Sequence, residues 1–214
     1  MTYKLKDFDT SNNKIYQTTN KFVDYDLNWH TVARNVVLSS SEQSGQLIVL
    51  VPDEYISTAT GSTPENVEYM VEFTGGIDTY VAETYCSLQV RTKTTGWLTA
   101  NPMAYRGQNA GGEIGWNGTT PSFGAEMHAN AAGQAFSFRI FVSRSVGEHY
   151  WDVIGTAGGV GYGAYGSSMV MGGRTQVTAE PITAFRAYVG SNKMYIGSHI
   201  ILSVRNVYTK EIYF

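Results

Sequence analysis

Histidine and carboxylate side chains cluster at only two places in this chain, Glu126-Met127-His128 and Glu148-His149-Tyr150-Trp151-Asp152. Such neighbours are raw material for metal binding or acid–base catalysis. A metal site needs three or four groups converging on one point. Along a strand Glu148 and Asp152 share a parity while His149 points away, so these residues do not converge. Glycoside hydrolysis needs two carboxyls about 5 to 10 Å apart in a cleft. Glu113, Glu126, Glu148 and Asp152 are available for it, but nothing in the sequence buries or pairs them. There is no G-x-S-x-G step, and His30, His128, His149 and His199 are scattered, so serine chemistry has no foundation either.

Gly161-Tyr162-Gly163-Ala164-Tyr165-Gly166 matches the dinucleotide pattern G-x-G-x-x-G. That pattern binds pyrophosphate only when its last glycine opens a helix. The following Ser167-Ser168-Met169-Val170-Met171 carries no helix signal, so the segment reads as a turning loop. Its Tyr162 and Tyr165 offer large contact area at small entropic cost. The single cysteine, Cys86, rules out an internal disulfide and a multi-cysteine zinc site, and its alternation with Leu88 and Val90 predicts a buried, inert thiol. The expectation is a protein without catalytic residues, cofactor or metal.

Aromatic residues are the remaining chemical resource. Trp97 and Trp116 lie beside glycine in loop-like sequence, with Tyr105, Tyr162 and Tyr165 in similar surroundings. Exposed Trp and Tyr stack on sugar rings and anchor protein interfaces equally well. Trp29 and Trp151 read as core. Residues 1–26 mix lysine and aspartate with Tyr3, Leu5, Phe8, Tyr16 and Phe22, without a sustained helical or strand period. Two readings stand: a solvated terminus, or an extended arm whose aromatics dock on a neighbour. The aromatic content favours the arm, since disordered tails are poor in such residues.

The elements that must position these residues are strands. Of 214 residues, 23 are glycine and only 15% are charged, a balance suited to an all-β protein rich in turns. The net charge of −3 gives no general attraction to nucleic acid. The N-terminus lacks an apolar signal core, and no run of about 18 apolar residues occurs, which predicts cytoplasmic synthesis without membrane insertion. A strand opens at Trp29 and runs through Val32, Val36 and Leu38, with a bulge at Arg34-Asn35. Gln46 to Val51 is a continuous apolar run, the pattern of a strand covered on both faces. Val67, Tyr69, Val71 and Phe73 alternate with Glu68, Met70 and Glu72 until Gly75-Gly76 turns the chain. Tyr80 to Arg91, Ala135 to Val142 and Tyr150 to Ile154 follow as strands. Residues 97–134 read as long loops with short strands near Gly112–Trp116 and Gly124–His128, Asn117-Gly118 as a turn, and Gly155–Gly173 as a further loop. About eight strands and no helix imply an antiparallel β-sandwich of jelly-roll type over residues 27–214.

The chain closes on Ile182 to Val204, which reads as a hairpin. Phe185, Ala187 and Val189 alternate with Arg186 and Tyr188, Gly190 to Lys193 supplies the turn, and Met194, Ile196, Ile200, Leu202 and Val204 return. Gly197 marks a bulge or a close backbone approach. Ile182, Phe185, Asn192, Met194, Gly197, Ile200 and Leu202 together resemble a β-sandwich module of tailed-phage virion proteins, found in head-decoration proteins and at tail-fibre ends. Asn66–Phe73 and Ser87–Arg91 with Gly96-Trp97 are similar to its middle strands. That family commonly ends in Tyr-Gly, where this chain has Ser203-Val204 and continues. The resemblance implies a non-enzymatic virion protein that decorates or cements a phage head, docked on the major capsid protein or another virion protein, and frequently a homotrimer. A second expectation is the receptor-binding tip of a tail fibre or spike, recognising host-surface saccharide. A third is a carbohydrate-active or lectin-like module outside any virus.

Overall fold

Val67, Tyr69, Val71 and Phe73 are buried and the residues between them are half-exposed, the period of a sheet with one covered face. The same rule repeats through the computed structural model, which describes residues 7–9, 14–16, 28–56, 67–109, 112–123, 126–129, 131–144, 151–160, 166–175 and 180–206. The first strands are β1 (Asp7–Asp9), β2 (Lys14–Tyr16), β3 (His30–Val36), β4 (Gln46–Leu50), β5 (Val67–Thr79), β6 (Thr84–Thr92), β7 (Gly96–Trp97) and β8 (Asn101–Asn109). Then come β9 (Gly112–Thr120), β10 (Glu126–Ala129), β11 (Ala135–Arg144), β12 (Trp151–Val160), β13 (Gly166–Arg174), β14 (Ile182–Tyr188), β15 (Lys193–Met194) and β16 (His199–Asn206). Among the described residues the helical turns are short 3-10 segments at Ser40–Glu42 and Asp53–Tyr55.

Pairing is antiparallel throughout. A large sheet runs β3-β16-β5-β11-β12-β13-β8-β9, with β15 beside β5. A small sheet runs β10-β6-β14-β4, with β7 beside β6. The two pack into an all-β sandwich. Within residues 1–26, β1 and β2 pair as a separate two-stranded sheet.

The core is aromatic at its centre. Tyr69 packs on Trp151 and Phe185 with ring centres 5.7 and 5.6 Å away, and Phe73 stacks on Phe138 at 5.8 Å. Each such side chain contributes about 1.5–3 kcal/mol by leaving water. The Tyr69 hydroxyl donates to the Tyr55 carbonyl at 2.9 Å, which satisfies a phenol whose pKa burial pushes up. Cys86 is buried as the alternation predicts, and burial raises its thiol pKa well above the ordinary value.

The C-terminal segment is not a hairpin. β14 pairs with β4 and β6 in the small sheet, while β16 pairs with β3 and β5 in the large one. Phe185 and Leu202 are both fully buried, and their strands lie in opposite layers. Residues 189–198 form the arch between the layers, and its backbone is stitched to both. Val189 N–H donates to Gly45 O, Tyr195 N–H to Gly76 O and Gly197 N–H to Val37 O, at 2.8, 3.0 and 2.7 Å. Gly197 is required by its φ of 91° rather than by close approach, since a Cβ there would meet nothing within 4 Å. The fully buried Asn192 accepts from the Val81 and Ala82 N–H groups at 2.6 and 3.0 Å and donates to Ala82 O at 2.9 Å.

Other expectations also change. β5 continues through Gly75-Gly76 to Thr79, because Gly76 lies against the Gln134 carbonyl where a Cβ would stand 2.2 Å away. β4 is an edge strand with alternating burial, so Leu50 is exposed and the apolar run is covered on one face only. The irregularity in β3 falls opposite Leu202 and Ser203, leaving Val32 unpaired, rather than at Arg34-Asn35. Leu38 follows β3 and is exposed. Residues 101–109 and 112–120 form the long β8–β9 pair instead of loops, with Asn117-Gly118 inside β9. Gly155–Val160 and Gly166–Gly173 are strand. Glycine there serves close packing: a Cβ on Gly159 would stand 2.3 Å from the Ala135 carbonyl.

Candidate binding surfaces

Two surfaces of the described residues gather aromatic or apolar side chains in the open. The first lies between the β8–β9 pair of the large sheet and strands β6 and β14 of the small one. Tyr105 of β8 and Trp116 of β9 are register partners, stacked with ring centres 5.9 Å apart and planes 22° from parallel. Both sit on the core-facing side, since Tyr105 also pairs with buried Met171. Tyr105 is half-buried and Trp116 is 40% exposed. Gly118 leaves room for the indole, because a Cβ there would stand 2.5 Å from Trp116 Cζ2.

Across from this pair lies the outer face of β6 and β14, which presents Tyr85, Ser87 and Gln89 beside Tyr188 and Arg186. Between the two walls runs a groove of about 380 Å³, within the range of small-molecule sites. Its floor is a polar relay. Arg186 Nε donates to Gln89 Oε1 at 2.9 Å, and Gln89 Nε2 donates to Ser87 Oγ at 3.1 Å. Arg186 also donates to Gln46 Oε1 at 3.0 Å and lies over the rings of Trp97 and Tyr188, at 4.2 and 4.6 Å from their centres. Desolvation lowers its pKa, partly offset by attraction to Tyr188.

The second surface is the outer face of the large sheet. One row of register partners crosses it, Met70–Phe141–Ile154–Gly172–Ala104. Phe141 is 40% exposed and Ile154 64%, and Val170, diagonal to Ile154, is 60% exposed. Ion pairs flank the row. Arg139 Nε donates to Glu72 Oε1 at 2.7 Å, and Arg205 Nε to Glu68 Oε2 at 2.8 Å. Trp29 belongs here rather than to the core: it is half-buried, 5.9 Å from Phe141 and beneath the Arg205 guanidinium.

The aromatic residues singled out in the sequence are distributed unevenly. Trp97 is half-buried in β7 under Arg186, and Trp116 stands in a strand instead of a loop. Phe8 and Tyr16 are paired in the backbone to Ile15 and Asp7 respectively, with side chains outside the described set. Tyr3, Leu5, Phe22, Tyr162, Tyr165, Glu148 and His149 lie outside the described residues. Glu126 pairs opposite Ser87 in the backbone, and its side chain is likewise not described. Among the described residues no three His, Cys, Asp or Glu groups are placed to hold a metal ion.

Sequence reasoning missed Tyr85, Tyr188, Phe141, Ile154 and Val170. The available signal was phase. Phe141 falls out of step with Phe136, Phe138, Ile140 and Val142, and Tyr188 with Phe185, Ala187 and Val189. An apolar residue on the wrong parity of a buried strand points outward. Compared with protein-family models, with curated proteins and with solved structures, the chain matches none.

Proposed function

We propose that this chain is a non-enzymatic virion structural protein of a tailed phage, decorating or cementing the head through the outer face of its large sheet. The exposed row Phe141–Ile154, with Val170 beside it, carries this reading. An apolar stripe rimmed by ion pairs has the make-up of a protein interface, with a water-excluding centre and a polar border. The outer edge of β9, on which no described strand pairs, adds main-chain groups for a partner strand. The virion assignment itself rests on the resemblance of Ile182–Leu202.

The strand order supports the jelly-roll form of the sandwich. β4 lies beside β14 and β6 beside β10 in one layer, while β5 lies beside β11 in the other, with the chain changing layer at β4, β5 and β6 in turn. Inserting β12–β13 between β11 and β8, and adding β3 and β16 at the flank, accounts for the remainder. Cosedimentation with purified capsids tests the function. Ile154→Asp should weaken capsid binding at least about tenfold, as loss of an interface hot spot does, and undiminished binding would overturn the docking face. Light scattering tests the accompanying trimer.

A second reading, the receptor-binding tip of a fibre or spike, is favoured by a different observation. The Trp116–Tyr105 stack is open to solvent beside a polar-floored groove.

A further inference from the structure

We infer that the groove between β6, β14 and the β8–β9 pair is a binding site for a neutral saccharide. The inference deepens the fibre-tip reading and rests on it, while the capsid-docking face lies on the opposite side of the large sheet.

The lining chemistry selects the ligand class. Trp116, Tyr85 and Tyr188 stand around the groove, and Tyr85 is 53% exposed. A pyranose ring presents axial C–H bonds on one face and hydroxyls around its rim. Aromatic faces take the first, and groups that both donate and accept take the second. Here the rim-facing groups are hydroxyls and an amide, Thr84, Ser87 and Gln89 among them, and among the described residues no Lys, Arg, Asp or Glu is part of the lining itself; the Arg186 guanidinium stands behind Gln89, already donating to Gln89 and Gln46. That absence of charge argues against a sialylated, phosphorylated or uronic ligand, whose carboxylate or phosphate would want a cation.

The floor is also set in advance. Ser87 Oγ accepts from Gln89, whose amide oxygen is held by Arg186, so the hydroxyl proton of Ser87 is left for a further acceptor. Ser87 and Gln89 are both almost completely buried although they face away from the core. Polar groups fixed at the base of a groove orient a ligand without an ordering cost at the moment of binding. A proline-rich peptide is the other ligand that aromatic grooves take. It needs a ridge of apolar slots and isolated donors, and the floor here is instead a continuous hydroxyl–amide relay.

The test is calorimetric titration of the full chain with neutral oligomers of glucose, galactose, mannose and N-acetylglucosamine, and with a proline-rich peptide. At least one oligosaccharide should bind. Trp116→Ala and Tyr85→Ala should each weaken it at least about tenfold, equivalent to about 1.4 kcal/mol. Gly118→Ala, which displaces the indole without removing it, should weaken binding as well. Ile154→Asp should leave it unchanged. Protection of Cys86 from a thiol reagent verifies that each variant is folded. Failure of every sugar to bind the folded protein, undiminished binding by both aromatic variants, or binding of the peptide alone would overturn the site. Capsid cosedimentation on the same preparations separates the two readings. A chain that binds capsids through Ile154 and no sugar refutes the groove alone, and one that binds sugar but not capsids refutes the docking face alone.

Discussion

Phe138 and Trp116 face the same side of the same sheet, four strands apart in the order β11-β12-β13-β8-β9. Phe138 is sealed between Phe73 and Phe136, under the small sheet. Trp116 stacks on Tyr105 at the side of a groove and is 40% exposed. The strands differ accordingly. β5 puts Val67, Tyr69, Val71, Phe73 and Ile77 inward and β11 Phe136, Phe138, Ile140 and Val142, whereas β9 is exposed on both parities from Gly115 to Thr119. The same pleat therefore holds the fold together at one end and presents an open aromatic wall at the other. What separates them is what lies opposite: the aromatic core at one end, and at the other an open groove lined by Tyr85 and Tyr188.

The sharpest way to break this contrast is to delete an equivalent ring from each half. Phe138→Ala should cost about 3–5 kcal/mol in urea unfolding, the range for truncating a fully buried aromatic. A loss no greater than that of Trp116→Ala would mean that the small sheet does not cover β11. Next in size is the arch joining the layers. Asn192→Ala removes a fully buried side chain that accepts from the Val81 and Ala82 amides, and should cost about 1–3 kcal/mol. An unchanged urea midpoint would remove Asn192 from the structures that tie the covered half together.

The covered half was legible because alternation reports burial directly. Alternation gives the buried face of Val67–Phe73 and Ala135–Val142 and the burial of Cys86, whereas the strand expected from Tyr80 begins only at Thr84, with Tyr80 and Val81 exposed. Three physical facts kept the rest hidden. Alternation in Phe185–Val189 and Ile200–Val204 is the same whether two strands lie side by side or face each other across a core, so an arch read as a hairpin. Gly107, Gly159 and Gly173, in β8, β12 and β13, lie against a neighbouring backbone carbonyl where a Cβ would stand 2.3 Å away, and in sequence such glycine looks like loop. The groove is the most concealed feature. Tyr85 and Trp116 are brought together by a layer crossing that no local pattern encodes, although the outward phase of Tyr188 was available.

Smaller effects sharpen the comparison. Trp116→Ala should cost no more than about 0.5–1.5 kcal/mol, the worth of an aromatic pair, while acting strongly on the proposed sugar binding. A stability loss like that of Phe138→Ala would place Trp116 in the core and dissolve the distinction between the halves.

The smallest effect lies at the seam, where β12 begins. Glu180 accepts from the Trp151 indole through its backbone carbonyl at 2.9 Å. Its carboxylate accepts from Thr95 N–H and Oγ1 at 3.0 and 2.9 Å and from Thr94 N–H at 3.3 Å. Burial works to raise this carboxyl, and those donors with the nearby Thr92 hydroxyl outweigh it, so its pKa lies below the ordinary 4.5. A carboxylate lowered on folding stabilises the native state above its unfolded value, and that contribution disappears as pH falls through the folded value. The urea midpoint of the native sequence should therefore drop below about pH 5 by more than that of Glu180→Gln, with the two curves converging under strongly acidic conditions. The difference is small because the carboxylate is open to solvent. Parallel curves across that limb would mean that the turn after β6 holds its shape without Glu180, and that the seam is fixed by the Trp151 indole alone.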